Sequence, residues 1–163
     1  EAATHAGIEV EARSRLGFAS TSLEDFYGSV NVAVIRSNVE LGDQAAASTS
    51  KTRPLQGQSP YVINLQLGYD DAAEEGNGIQ TALLYNRFGP RISEVGRFGL
   101  PDVYEMPNHR LDAVYSQKIG WGFRVKAKAS NLLNPAITFE QADRIVQQVR
   151  LGRDVSLELS WAN

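Results

Sequence analysis

The chain has 163 residues, of which 42% are hydrophobic and 21% charged, with a formal net charge of −3 and no cysteine. The missing cysteines exclude thiol chemistry, zinc ribbons and a disulfide scaffold, and no basic face or arginine-rich run marks a nucleic-acid footprint. No stretch approaches the roughly 18 consecutive apolar residues of a transmembrane helix, a test that barrel strands escape because their residues alternate between lipid and lumen. The sequence opens Glu1-Ala2-Ala3-Thr4 without a basic and apolar leader, as expected of a mature or excised piece.

Taken in order, the chain repeats one pattern: period-two alternation in segments about as long as a tilted membrane strand, roughly 9–11 residues. Residues 7–18 set Ile8, Val10, Ala12 and Leu16 against Glu9, Glu11, Arg13 and Arg15. Residues 27–41 set Val30, Val32 and Val34 against Ser29, Asn31 and Ala33. Over 61–69, Tyr61, Ile63, Leu65, Leu67 and Tyr69 oppose Val62, Asn64, Gln66 and Gly68. Over 79–88, Ile79, Thr81, Leu83 and Tyr85 share a face, while Leu84 and Phe88 interrupt the polar one, where a bulge or a packed lumen is expected. Residues 110–118 oppose Leu111, Ala113 and Tyr115 to Arg110, Asp112 and Ser116. Residues 123–130 oppose Phe123, Val125, Ala127 and Ala129 to Arg124, Lys126, Lys128 and Ser130. In the last segment Val155, Leu157, Leu159 and Trp161 oppose Ser156, Glu158 and Ser160. The expected fold class is all-β, with about seven antiparallel strands. Helical spacing surfaces only near residues 140–149, inside a loop.

The links alternate in length. Residues 71–77 and 119–122 are short and rich in turn formers, whereas 42–60, 92–108 and 132–151 are long and read as irregular loops. Residues 17–26 would belong to the short side and are longer than expected there. Short turns at one end and long loops at the other is the asymmetry of outer-membrane barrels.

A soluble β-sandwich also alternates, so further features must decide. Tyr61 and Tyr69 share a face eight residues apart, roughly 19 Å of height in a strand tilted near 45°, so both rings could approach opposite interfaces of the apolar band. Together with Trp121 and Trp161 they are the expected membrane-interface aromatics. Segments of this length exceed the usual sandwich strand.

Sites of ordinary chemistry are scarce. His5 and His109 are isolated and read as plain surface histidines. Asp70, Asp71, Glu74 and Glu75 lack the order of a calcium loop and read as a solvated turn. Gly76-Asn77-Gly78 is a turn without the surroundings of a phosphate loop, and no nucleophile–base pair or Gly-x-Ser-x-Gly elbow appears. The expectation is no enzyme, no cofactor and no metal. The row Arg124, Lys126 and Lys128 would line the lumen. It would attract anionic solute or plug carboxylates, unless Glu158, Asp112 and Glu9 on neighbouring strands simply balance it.

Four stretches carry a family resemblance. RPLQGQSPYVINLQLGY (residues 53–69) resembles the loop-then-strand found several strands before the end of TonB-dependent outer-membrane receptors. GIEVEARSR (7–15) looks like an earlier barrel strand, SNLLNP (130–135) like the penultimate strand entering its loop, and GRDVSLELSW (152–161) like the closing strand. The four occur in family order across most of the chain. The family's last strand normally finishes at an aromatic residue, whereas here Ala162 and Asn163 follow Trp161.

The resemblance implies the C-terminal part of a transmembrane barrel of about 22 strands, in an energised importer for iron chelates, cobalamin, glycans or peptides. Its partners would be outer-membrane lipid, the remaining strands, a plug domain and TonB, the last reached through an N-terminal segment. Neither plug nor TonB-binding segment is recognisable in the chain. Seven strands cannot close such a barrel, and an odd number leaves edges that lipid cannot satisfy. The rival readings are strands of a multichain outer-membrane pore, or a soluble all-β binding module.

Overall fold

In the computed structural model, residues 2–42, 47–71 and 78–161 are described. The protein is all-β and antiparallel, and no α-helix occurs among the described residues. In chain order the strands are β1 (Ala2–Arg15), β2 (Phe26–Glu40), β3 (Thr52–Arg53), β4 (Tyr61–Asp70), β5 (Gln80–Phe88) and β6 (Arg91–Glu94). They continue as β7 (Val103–Glu105), β8 (His109–Gly120), β9 (Phe123–Ser130), β10 (Ile137–Gln141), β11 (Arg144–Val149) and β12 (Asp154–Trp161).

The seven segments of alternation form one sheet in the order β1-β2-β4-β5-β8-β9-β12, with β3 beside the end of β2. Each neighbour is the next long strand in the chain, an up-and-down meander. The first strand is longer than its alternation suggests at one end and shorter at the other, running Ala2–Arg15. The sheet is open: β1 and β12 each pair on one side only.

Register makes the two faces continuous. Val10, Val32, Ile63 and Arg87 stand opposite one another in successive strands, as do Ser14, Gly28, Leu67, Leu83, Ala113, Ala129 and Val155. On the other face Arg13, Ser29, Gln66, Leu84 and Asp112 form one row, and Arg15, Tyr27, Gly68, Ala82, Val114, Lys128 and Ser156 another. Because side chains alternate with period two, unbroken register carries each strand's alternation into the same two faces across the sheet. No bulge forms at Leu84 or Phe88: the pairing of β5 with both neighbours is unshifted. Leu84 stands on the polar face between Gln66 and Asp112.

All short links lie at one end of the sheet. Between β1 and β2 the extra length is taken up by two 3-10 turns, Leu16–Phe18 and Thr21–Leu23. Between β8 and β9 only Trp121 and Gly122 intervene, with φ of 49° and 77°. Two positive φ values are what a tight hairpin of matching twist requires. Most of the 71–77 link, with Glu74, Glu75, Gly76 and Asn77, lies outside the described residues, as do Ala162 and Asn163.

The long links are not the irregular loops that their composition suggests. Two of them supply a second sheet, β11-β10-β7-β6, in which Phe139 of one link pairs with Glu105 of another. The helical spacing near residues 140–149 is overturned: β10 and β11 form a hairpin turning at Ala142-Asp143, both at positive φ. The third long link joins through a bridge between Ser48 and Arg97 and a Gly57 N–H donated to the Ile92 carbonyl at 2.9 Å. Ile92, 1% exposed, is the one buried hydrophobic residue among those described. The small core thus sits in this loop cap, not under the large sheet.

Candidate functional site

The polar face of the large sheet concentrates the charged side chains. A hollow of about 490 Å³ on this face is bordered by residues of all seven strands, from Arg13 on β1 to Glu158 on β12. The hollow therefore runs across the sheet on its polar face.

Within the hollow, Arg124, Lys126 and Glu158 come together. Lys126 stands in register between Ser116 and Glu158, and Lys128 between Val114 and Ser156. Arg124 donates from Nη1 to Ser116 Oγ at 3.2 Å. The three neighbouring carboxylates differ in their contacts. Glu9 Oε1 accepts from Asn31 Nδ2 at 2.6 Å, and Asp112 accepts from Arg110 Nε at 3.2 Å and from the Asn131 N–H at 2.8 Å. Glu158 alone of the three faces the cationic row, joined in the hollow by Asp70.

Across the middle of the same face runs an amide ladder. Asn86 donates from Nδ2 to Asn64 Oδ1 at 2.7 Å, Asn64 to Asn31 at 3.2 Å, and Asn31 to Glu9. All three amides point their donors the same way, ending on a carboxylate, an arrangement in which each bond polarises the next. The ladder escaped the sequence reading. Its signal was present, since Asn31, Asn64 and Asn86 fall at one height once the hairpins are put in register.

On the apolar face the named aromatics divide between the two ends. Tyr61 lies at the loop end, and Tyr69, Trp121 and Trp161 lie toward the turn end, where Trp161 Nε1 donates to the Trp121 carbonyl at 3.2 Å. Phe26 and Tyr69 meet edge-on with centroids 5.0 Å apart, and Phe123 and Trp161 at 6.4 Å. Trp121 is 93% exposed, Val155 and Leu157 77% each and Ile8 75%. At the loop end Arg87 stands between Ile63 and His109, and its Nε is buried without a hydrogen-bond partner among the described residues. His109 is engaged, its Nδ1 lying 2.6 Å from the Tyr85 hydroxyl. Neither histidine joins a metal cluster among the described residues.

A larger hollow, about 690 Å³, opens at the loop end among β2, β3, β6 and β7. Sequence reasoning missed it because its residues come from separate links. In the loop sheet, burial first and then the Asp102 carboxylate raise the Tyr104 phenol above its ordinary value.

No family model, curated protein or solved structure matches the chain.

Proposed function

We propose that the chain is part of the wall of an outer-membrane transport barrel of the TonB-dependent receptor type, with its apolar face in lipid and its polar face lining the passage. The observation that carries this reading is the strand-by-strand separation of two faces over seven registered strands, with nothing among the described residues packed on the apolar one. Fully burying one Val, Leu or Ile side chain is worth about 1.5–3 kcal/mol, and Ile8, Val10, Val34, Val155, Leu157 and Leu159 each leave more than half of their surface open. A soluble sheet hides such a face under a second layer. A bilayer supplies that layer without one.

Three further features agree. A single hollow on the polar face is bordered by residues of all seven long strands. The short turns lie at one end, which would be periplasmic, and the long links with their ordered cap at the other, which would be extracellular. The aromatic residues gather toward the two ends of the apolar band, and Arg87 lies near one of them, where a charge costs about 0–1 kcal/mol against about 2–4 at the midplane. The free edges of β1 and β12 call for further strands, since lipid cannot satisfy open backbone groups. The ordered resemblance of the four stretches to TonB-dependent receptors supports that family over a multichain pore. Transport of a solute, rather than catalysis, is the function that follows.

The test is folding with and without lipid. In bilayers containing brominated acyl chains, the complete barrel that includes this chain should gain β-structure, and emission from Trp121 and Trp161 should be quenched. In detergent-free buffer it should neither fold nor stay monomeric. A folded, soluble monomer in plain buffer refutes the reading.

A further inference from the structure

Arg87 is a cation on a face that is otherwise apolar around it. Its register partners are Ile63 and His109, and Tyr85 and Gly89 lie two residues away on its own strand. None of these is acidic. Its Nε is buried without a hydrogen-bond partner, and no ion pair or ring contact engages the guanidinium among the described residues. A buried charged donor left unbonded is costly, and an anion brought to it offsets that cost.

The imidazole of His109 is the natural second donor. Side chains directly opposite in an antiparallel pair stand about 4.5–5.5 Å apart at Cβ, so guanidinium and imidazole are neighbours on one face. The His109 Nδ1 lies 2.6 Å from the Tyr85 hydroxyl, which leaves Nε2 as the ring nitrogen free to bond elsewhere. A guanidinium fork beside a further N–H donor matches the oxygens of a phosphate.

What lies below this pair decides the kind of ligand. Toward the turn end, the next row on the same face is Leu65, Tyr85 and Leu111, and the one after it includes Leu83, Ala113, Ala129 and Val155. There a groove of about 300 Å³ opens, bordered on this face by Leu83, Ala113, Tyr115, Ala127, Ala129 and Val155. The three alanines form its floor, because their larger neighbours stand above them. Arg87 and Leu83 are four residues apart on β5, roughly 13 Å along the strand. Anion-seeking donors at one end and an apolar groove in line beneath them suit an amphiphile with an anionic head.

We infer that this strip holds one anionic membrane lipid, with its phosphate on Arg87 and His109 and an acyl chain in the alanine groove. The inference rests on the reading of the apolar face as the lipid-facing one. Free phosphate would leave the groove empty, and a zwitterionic lipid would bring its own cation to a site that already holds one.

Native mass spectrometry of the complete barrel that includes this chain tests it, after exchange into micelles containing phosphatidic acid, phosphatidylcholine with the same acyl chains, or inorganic phosphate. Phosphatidic acid should be retained at least about fivefold more than phosphatidylcholine, and inorganic phosphate should not be retained. Arg87→Gln should abolish the preference between the two lipids. Ala127→Leu and Ala129→Leu, which fill the groove, should each lower retention of phosphatidic acid, whereas Lys118→Gln, on the polar face beside Arg124, should change nothing. Circular dichroism checks that each variant is folded. Equal retention of the two lipids, a preference that survives Arg87→Gln, or unchanged retention in both alanine variants overturns the inference. So does retention of inorganic phosphate alone, or a lipid-free dimer in which a second copy covers the strip. Quenched tryptophans in brominated bilayers together with no lipid preference would leave the barrel wall standing and remove this site alone.

Discussion

Tyr27 lies across Gly68 on the polar face, so closely that a Cβ built on the glycine would sit 2.2 Å from the tyrosine Cζ. The two are register partners on β2 and β4. The phenol is held from two further sides: Gln66 Nε2 donates to its hydroxyl at 3.0 Å, and the Arg13 guanidinium stands 5.0 Å from the ring centroid. Gly68 is therefore the space that allows one aromatic ring to tie β1, β2 and β4 together. Gly68→Ala should destabilise the folded chain by about 1–3 kcal/mol through overpacking, and most of that loss should vanish in a Tyr27→Ala background. Urea midpoints in micelles measure both, and equal penalties in the two backgrounds would contradict the arrangement.

The amide ladder gives a second expectation. Asn64 is its central member, accepting from Asn86 and donating to Asn31. Asn64→Leu strands one donor and one acceptor, and each hydrogen bond is worth about 0.5–1.5 kcal/mol net. Because both partners belong to one chain of bonds, the Asn31→Ala and Asn86→Ala effects should be non-additive by about 0.5 kcal/mol or more. A double-mutant cycle on unfolding midpoints reads the coupling, and strict additivity would mean that the ladder is three independent pairs.

How far these features were legible in sequence depends on the distance over which each is written. The seven long strands were readable because alternation is local: Tyr61, Ile63, Leu65, Leu67 and Tyr69 declare their face without reference to any other strand. The cationic row was readable for the same reason. The hydrogen-bond partners of the nearby carboxylates were not, because only register sets Glu158 against Lys126 and brings Glu9 to Asn31. The loop sheet was illegible for two physical reasons. Its strands are three to six residues long, too short to show a period. Its central pairing joins Phe139 to Glu105 across the whole of β8 and β9. The loop-end hollow inherits that difficulty, since its lining comes from β2 and from two separate links.

On the proposed reading, the row at the turn end biases the passage toward anions. With Glu158 the one acidic register partner of Lys126 or Lys128, Lys126→Ala combined with Lys128→Ala should lower uptake of an anionic solute by the complete receptor several-fold and flatten its salt dependence, since the row acts through screened charge. Glu158→Gln should act in the opposite direction. Uptake measured at two ionic strengths decides it, and unchanged uptake with unchanged salt dependence would remove the row from function.

Tyr104 offers an expectation at alkaline pH. Burial, and then the Asp102 carboxylate, raise its phenol above the ordinary value of 10.0. The folded state therefore holds this proton more tightly than the unfolded chain does. Its contribution to stability is complete below the ordinary value and is lost as pH rises through the raised one. Titration followed by phenolate absorbance should show a late-ionising component, and Tyr104→Phe should diminish it by one phenol. Asp102→Asn should bring it earlier while keeping an oxygen for the Gly96 N–H, which Asp102 Oδ1 accepts at 2.7 Å.

The hairpin between β10 and β11 turns on a residue poorly suited to it. Gln141 and Arg144 are the last register pair, leaving Ala142 at φ 50° and Asp143 at φ 60°. A left-handed backbone costs an L-residue roughly 1–2 kcal/mol, less for Asn or Asp, whose side chains bond locally, and nothing comparable for Gly. Asp143 thus fits its place and Ala142 does not, which is also why Gln-Ala-Asp-Arg carries no turn signal in sequence. Ala142→Gly and Ala142→Asn should stabilise the hairpin by about 0.5–1 kcal/mol, whereas Ala142→Val, β-branched at positive φ, should open it. All of β11 is exposed, so the hairpin is expected to open locally before the large sheet does. Amide hydrogen exchange across Arg144–Val149 is therefore the measurement, with slower exchange expected in the Gly and Asn variants and faster exchange in the Val variant. Identical exchange in all three would mean that pairing of β10 with β7, and not the turn, sets the stability of this cap.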